Sequence, residues 1–277
     1  MSRMMIQAAV TMNQLQNKLD LIGNNLANSQ TTGYKSRQTE FSSLLFQQIN
    51  NLTDQANLVG RETPDGLRVG SGARLGSINT DLSLGSFTET GRALDVALLD
   101  EHTLFQIQIS EDGTTETQYT RDGSFYLNPI ANSQNLMLTT KDGYPVLGEN
   151  GPIVIADGFD SIDIQSNGQV IVQRGNLTEI AGHLAVVEAV RPRLLEAVGQ
   201  NAFRLPDLEQ LGFNLNEIIQ DVNPEGNLVK GRSLENSNVD IAKQMTDMIM
   251  TQRAYQFNAR TISMSDQMSG LINTIRT

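Results

Sequence analysis

Residues able to do chemistry are few in this chain, and none forms a constellation. Its 277 residues include two histidines, His102 and His183, and no cysteine. A general base needs a tuned titratable group within reach of its substrate, and both histidines read instead as strand or loop residues. Three Asp–Gly pairs, Asp112-Gly113, Asp122-Gly123 and Asp142-Gly143, put a carboxylate beside a flexible backbone, as calcium loops do. None fits the D-x-[DN]-x-[DN]-G spacing that wraps oxygen ligands around the ion, so they read as hairpin turns. Gly70-Ser71-Gly72-Ala73-Arg74-Leu75-Gly76 is rich in glycine like a phosphate cradle. It lacks the Lys-Ser/Thr pair and opens no helix, so it reads as a flexible connector. Without cysteine there is no disulfide and no thiolate metal site. No catalytic, cofactor-binding or metal-binding residues are expected, and the remaining role is contact between proteins.

Charge narrows the partners. There are 31 acidic and 20 basic residues, for a formal net charge of −11. Nucleic-acid binding needs phosphate-neutralising Lys and Arg, so nucleic acid is not an expected partner. The imbalance is local: residues 1–45 carry four bases against two acids, and 233–277 carry four of each, leaving −13 for the middle. Nearly neutral ends and an acidic centre mark different compartments. No run of about 18 apolar residues occurs, so no membrane insertion is expected, and Gln7, Thr11, Asn13 and Gln14 interrupt the first apolar stretch where a signal peptide would be continuous. Arg3 and Lys18 alone cannot supply the cationic face of a membrane-surface helix.

The elements that position any contact are legible. Met5, Ala8, Met12, Leu15, Leu19, Ile22 and Leu26 recur at 3 and 4 residues, the spacing of a coiled-coil seam. The same spacing also fits a helix packed on its own domain's core. An isolated helix of this length is marginal in water, so it requires a partner. At the other end, Ser237-Asn238-Val239-Asp240 has the form of a capping box. It precedes a second stripe of Ile241, Met245, Met248, Tyr255, Ala259 and Ile262, which shifts and resumes at Met264, Met268, Leu271 and Ile275. Between the helices, Phe41, Leu44, Leu45 and Ile49 fit a short helix, and 46–75 reads as an extended bridge. From about 76 the period changes to two: Phe105-Gln106-Ile107-Gln108-Ile109 alternates, and Asn167-Gly168 separates two strands as a hairpin turn does. The expected fold is α+β: long N- and C-terminal helices forming a coiled coil, with a central mostly-β domain. Its boundaries are 1–45 (helix and turn), 46–75 (bridge), 76–232 (β-rich domain) and 233–277 (C-terminal helix).

Gly23-Asn24-Asn25-Leu26-Ala27-Asn28-Ser29-Gln30-Thr31-Thr32-Gly33-Tyr34-Lys35, the corner after the first helix, resembles the N-terminal signature of the bacterial flagellar rod and hook axial proteins. Tyr119-Thr120-Arg121-Asp122-Gly123-Ser124-Phe125 is similar to the distal-rod motif of that family. Ser237–Asp240 and Gln252-Arg253-Ala254-Tyr255-Gln256-Phe257-Asn258-Ala259 resemble its C-terminal helix. One stretch departs: Asp100-Glu101-His102-Thr103-Leu104-Phe105 stands where the family has a G-x-G-F-F turn.

The resemblance implies a non-enzymatic structural subunit of the distal-rod type. It implies terminal helices that pair and pack with copies of themselves and with other rod and hook subunits around a hollow channel. It also implies export by the flagellar type III apparatus without a cleaved signal peptide, and a place in the basal body outside the cytoplasmic membrane. A proximal rod or short hook protein is the alternative within the family, and a non-flagellar β-domain adhesin with a coiled-coil stalk is the alternative outside it. At the corner, Gly33 is expected in a left-handed conformation that glycine adopts cheaply. Tyr34 and Lys35 are expected to contact a neighbouring helix.

Overall fold

The computed structural model describes residues 3–43, 46–49, 67–70, 73–111, 114–131, 133–199, 201–206, 212–222 and 226–276. The chain divides into two compact units, one of residues 1–26, 38–79 and 241–277, the other of 27–37 and 80–240. The architecture is α+β, with a helix at each end and a mostly-β centre.

In the first unit, helix α1 runs from Arg3 to Ala27 and stops at Asn28, where turn-forming residues begin. Ala8, Leu15 and Ile22, seven residues apart, are buried, and Met5, Met12, Leu19 and Leu26 beside them are half-buried. Strands β1 (Arg37–Ser43), β2 (Phe46–Ile49), β3 (Leu67–Gly70) and β4 (Ala73–Thr80) follow. The helix expected around Phe41 and Ile49 is therefore two strands, and Leu44 and Leu45 lie outside the described residues. The apolar period was helical, but β2 pairs with β3 in the register Phe46↔Gly70 to Ile49↔Leu67, a non-local partner that periodicity cannot reveal. The glycine-rich stretch expected as a connector enters strand β4 at Ala73; its Ser71 and Gly72 lie outside the described residues.

The unit closes with helix α2, Ile241–Arg276, 36 residues long. Asp240 immediately precedes it, so the helix begins three residues beyond the start that a cap at Ser237 would give. Ser237 Oγ instead accepts from the Val239 N–H at 3.3 Å. Among the described residues of α2, only Gln244 and Thr251 are buried. This buried line lies three residues beyond the apolar stripe read from the sequence. Ile241, Met245, Met268 and Leu271 of that stripe are exposed, while Met248, Tyr255, Ala259 and Ile262 are half-buried. Buried Asn25 of α1 donates through Nδ2 to Gln244 Oε1 at 3.4 Å, a polar link between the two helices.

The second unit is built of β5 (Phe87–Glu89), β6 (Val96–Leu98), β7 (Thr103–Glu111), β8 (Thr114–Thr120), β9 (Tyr126–Pro129) and β10 (Asn135–Thr139). Then come β11 (Leu147–Gly148), β12 (Gly151–Pro152), β13 (Val154–Ala156), β14 (Ser161–Ile164), β15 (Gln169–Arg174) and β16 (Leu177–His183). It ends with β17 (Val186–Ala189), β18 (Glu196–Val198), β19 (Ala202–Arg204), β20 (Ile219–Asp221), β21 (Val229–Gly231) and β22 (Ser233–Glu235). Its largest sheet has the order β18-β19-β8-β7-β17-β20. Side chains alternate across a strand, and this sheet uses both faces. Phe105, Ile107, Ile109 and Val186 join one apolar cluster with Phe125, Leu138, Val146 and Val170. Leu104, Val187 and Ala189 join the other with Tyr119, Phe203 and Ile218. Burying a side chain of this size contributes roughly 1.5–3 kcal/mol.

The Asn167-Gly168 hairpin forms as expected, with Ile162 opposite Val172 and Gly168 at φ 84°. Asp142-Gly143 is also a turn, closed by the Gly143 N–H on the Thr140 carbonyl at 3.0 Å. Asp112-Gly113 lies outside the described residues. Asp122-Gly123 is not a hairpin tip but part of a buried crossing segment.

Candidate functional site

Three stretches far apart in sequence meet inside the second unit: the corner after α1, the segment after β8, and β22 with the residues leading to α2. Gly33 begins the junction. Its φ is 66°, the left-handed conformation expected of it. A Cβ there would lie 2.6 Å from the Arg121 carbonyl carbon and oxygen and 2.7 Å from the Asp122 nitrogen. Only glycine lets the corner lie on the Arg121–Asp122 backbone. The Gly33 N–H donates to the Glu235 carbonyl at 2.8 Å, which ties the corner to β22 as well.

Tyr34 and Lys35 follow, and both are buried within their own unit. This corrects the expectation that they face a neighbouring helix. For Lys35 the cause is the anion waiting inside: its Nζ donates to Glu235 Oε1 at 2.7 Å and to the Ser83 carbonyl at 2.6 Å. Arg121 Nε donates to Glu235 Oε2 at 2.9 Å, and the Gly85 N–H donates to Oε1 at 2.9 Å. One buried carboxylate thus accepts from two buried cations and a half-buried backbone amide. Burial pushes the Lys35 ammonium down to about 8, helped by the Arg121 charge and opposed by Glu235 and Asp81. Burial likewise lowers Arg121, against the pull of Glu235.

Arg121 Nη1 donates to the carbonyls of Asp100, Glu101 and Thr103 at 2.9, 2.6 and 3.0 Å. Those carbonyls belong to the stretch that departs from the glycine-rich turn. The turn forms without glycine because no residue in it needs a positive φ, and the Thr103 hydroxyl donates back to the Asp100 carbonyl at 3.0 Å.

Asp122 Oδ1 accepts from the Ser124 N–H at 3.1 Å, the Ser124 hydroxyl at 2.6 Å and the Thr32 hydroxyl at 3.1 Å. Its Oδ2 pairs with Lys141 at 3.2 Å. A Cβ on Gly123 would fall 1.7 Å from the Val96 carbonyl oxygen, so the backbone crosses there at a distance no other residue allows. Phe125 is fully buried edge-to-face on Phe105, with centroids 5.2 Å apart. Thr120 donates to the Asn201 carbonyl at 2.8 Å, and Tyr119 packs in the second apolar cluster. Tyr119, Thr120, Arg121, Asp122, Gly123, Phe125, Gly33, Tyr34 and Lys35 therefore belong to one continuous neighbourhood. Asn25 lies in the first unit, where Asn24 is exposed on α1.

Two partners escaped the sequence reading. Glu235 was not singled out, although two cations in separate motif stretches would demand an anion if buried. Asn238 reads in the sequence as part of a cap and of the C-terminal family motif, neither of which shows its partners. Its Oδ1 accepts from the Ser36 N–H at 2.7 Å, and its Nδ2 donates to the carbonyls of Asp81 and Ser83 at 2.9 and 3.1 Å.

The chemistry of this junction is fixation. Its carboxylate is saturated by donors and its cations are enclosed, which leaves no poised acid, base or nucleophile. Among the described residues no group of His, Asp or Glu could hold a metal ion, and no helix is long and apolar enough to cross a membrane.

The same three stretches coincide with matches to known families. Residues 7–35 match the family described as flagella basal body rod protein, 98–172 the flagellar hook protein FlgE/F/G D1 domain, and 230–275 the flagellar basal body rod FlgEFG protein C-terminal family. The chain is 41% identical to the flagellar hook-basal body complex protein FlhP of Bacillus subtilis over the full length of both. It is 34% identical to the flagellar basal-body rod protein FlgG of the same organism and 33% identical to that of Agrobacterium fabrum, covering 96% of each chain in both cases.

Proposed function

The chain belongs to the flagellar basal-body rod family, and from that premise we propose that it polymerises through its terminal helices into a hollow, torque-transmitting shaft. Its role is structural rather than enzymatic, and its place is the flagellar basal body, beside other rod and hook subunits. A non-flagellar adhesin is not favoured by these relatives. The proposal extends to three further points: self-assembly, export by the flagellar type III apparatus without a cleaved signal peptide, and a distal-rod position rather than a proximal-rod or short-hook one.

The observation that supports assembly through the ends is the uncovered face of α2. Phe257, Met268 and Leu271 are 68%, 63% and 64% exposed. A helix this long gains most of its stability from tertiary packing of an apolar face, and among the described residues these three positions of α2 stay uncovered. On this reading Met5, Ala8, Met12, Leu15, Leu19, Ile22 and Leu26 of α1 pair with the α2 stripe as a coiled coil completed by neighbouring subunits. Neutral, amide-rich ends suit such stacking because identical copies bring no like charges together.

Deletion of the gene tests the role. The expected strain is non-motile and lacks hooks and filaments, and basal bodies from the complemented strain carry the protein along the rod. Normal filaments in the deletion strain would overturn the reading, and label confined to the hook would move the protein's place.

A further inference from the structure

Asn238 lies three residues before the start of α2 and Ser36 nine residues after the end of α1, yet the two are joined at 2.7 Å. One layer deeper, Lys35 and Glu235 are joined at 2.7 Å, and a third bond runs from the Gly33 N–H to the Glu235 carbonyl. The chain leaving one helix and the chain entering the other are thus stitched together at three consecutive levels. Arg121, carried by the β-sheet, closes the stitch from the side on Glu235.

We propose that Lys35, Glu235, Arg121 and Asn238 form a positioning clamp for assembly, which sets the two chain exits in one register before subunits meet. The inference rests on the assembly reading above. An apolar plug could fill the same volume, because buried ion clusters are often replaceable by hydrophobic side chains without loss of stability. What a plug cannot supply is direction. A carboxylate whose oxygens accept from an ammonium, a guanidinium and the Gly85 amide is satisfied in this one arrangement, and any slip of one exit past the other takes donors away from it. The burial of two cations around a single anion makes sense as an alignment device, since as a source of stability it is poor.

Paired variants in the deletion strain separate alignment from folding. The double variant Lys35→Met with Glu235→Gln keeps the net charge of the cluster at +1, as in the wild-type two cations and one anion. It is expected to fold while breaking the inner level. Asn238→Ala breaks the outer level at a half-buried position and leaves the ion cluster intact. For each, basal-body incorporation is divided by the folded soluble amount, measured by the melting of the purified chain. Expected is a loss of about tenfold for the double variant and a smaller one for Asn238→Ala, with melting lowered in the double variant, whose buried Arg121 loses its carboxylate, and near-native in Asn238→Ala.

Incorporation of both variants at the wild-type ratio would overturn the clamp. If the double variant does not fold, wild-type incorporation of Asn238→Ala alone overturns it. Intact flagella in the deletion strain itself would strike the assembly reading rather than the clamp.

Discussion

The two units of this chain solve opposite problems. The β-unit closes on itself: its apolar side chains fill both faces of a six-stranded sheet, and even its buried charges Lys35, Arg121 and Glu235 find partners inside. The helical unit leaves its business unfinished. Among its described residues α2 buries two polar side chains, Gln244 and Thr251, and turns Met245, Phe257, Met264 and Leu271 outward. In the β-unit burial stabilises the monomer. In the helical unit, on the assembly reading proposed above, the exposed apolar surface of α2 is covered by another molecule. A mutation should therefore be felt in folding when it falls in the β-unit, and in assembly when it falls in the helices.

The largest break in that contrast is a charge on the helical seam. Leu19→Asp should abolish incorporation into basal bodies, because an unpaired buried carboxylate costs several kcal/mol at every contact. Melting of the β-unit should stay at its wild-type temperature, and loss of that transition would show that the units are not separable. Next comes Glu235→Gln, which strands two buried cations. Denaturant unfolding should lose about 3–5 kcal/mol, while a loss below about 1 kcal/mol would place water at the junction.

The pH dependence sharpens the same point. Lys35 falls from an ordinary 10.5 to about 8 in the fold, so between these values the unfolded chain holds a proton that the folded chain has released. Stability from this group therefore rises with pH across that window, by on the order of 3 kcal/mol. Comparing wild type with Lys35→Met isolates it, since Tyr34 and Tyr119 are raised by burial and lose their contribution only above their ordinary value of 10.0. Parallel curves for the two proteins would mean that the ammonium is hydrated. The smallest effect on folding belongs to Phe257→Ser, expected within about 0.5 kcal/mol of wild type in the monomer. Its incorporation should nonetheless fall, and unimpaired assembly would remove this face from the shaft.

Much of this organisation was legible in the residues. The heptad spacing of Ala8, Leu15 and Ile22 fixed which line of α1 is buried, and the alternation from Phe105 to Ile109 fixed β7. Gly33 announced its backbone conformation because only one residue type tolerates it cheaply. Illegible were features created by distant partners. The strand β2 exists through β3, which a helical period in Phe41 and Ile49 could not show. Asp122-Gly123 carries turn chemistry, yet it is buried because Val96 and Thr32 come to meet it. The burial of Lys35 follows from Glu235, 200 positions away.

The side-by-side course of Ser36 and Asn238 brings the chain's entry into the β-unit and its exit from it to one point. The chain re-enters this unit at Asp81, whose N–H donates to the Ser36 carbonyl at 2.9 Å, so a body of another size or shape could be exchanged between Asp81 and Asn238 without moving either end. The exchange carries one condition: the newcomer must present a guanidinium where Arg121 now reaches Glu235.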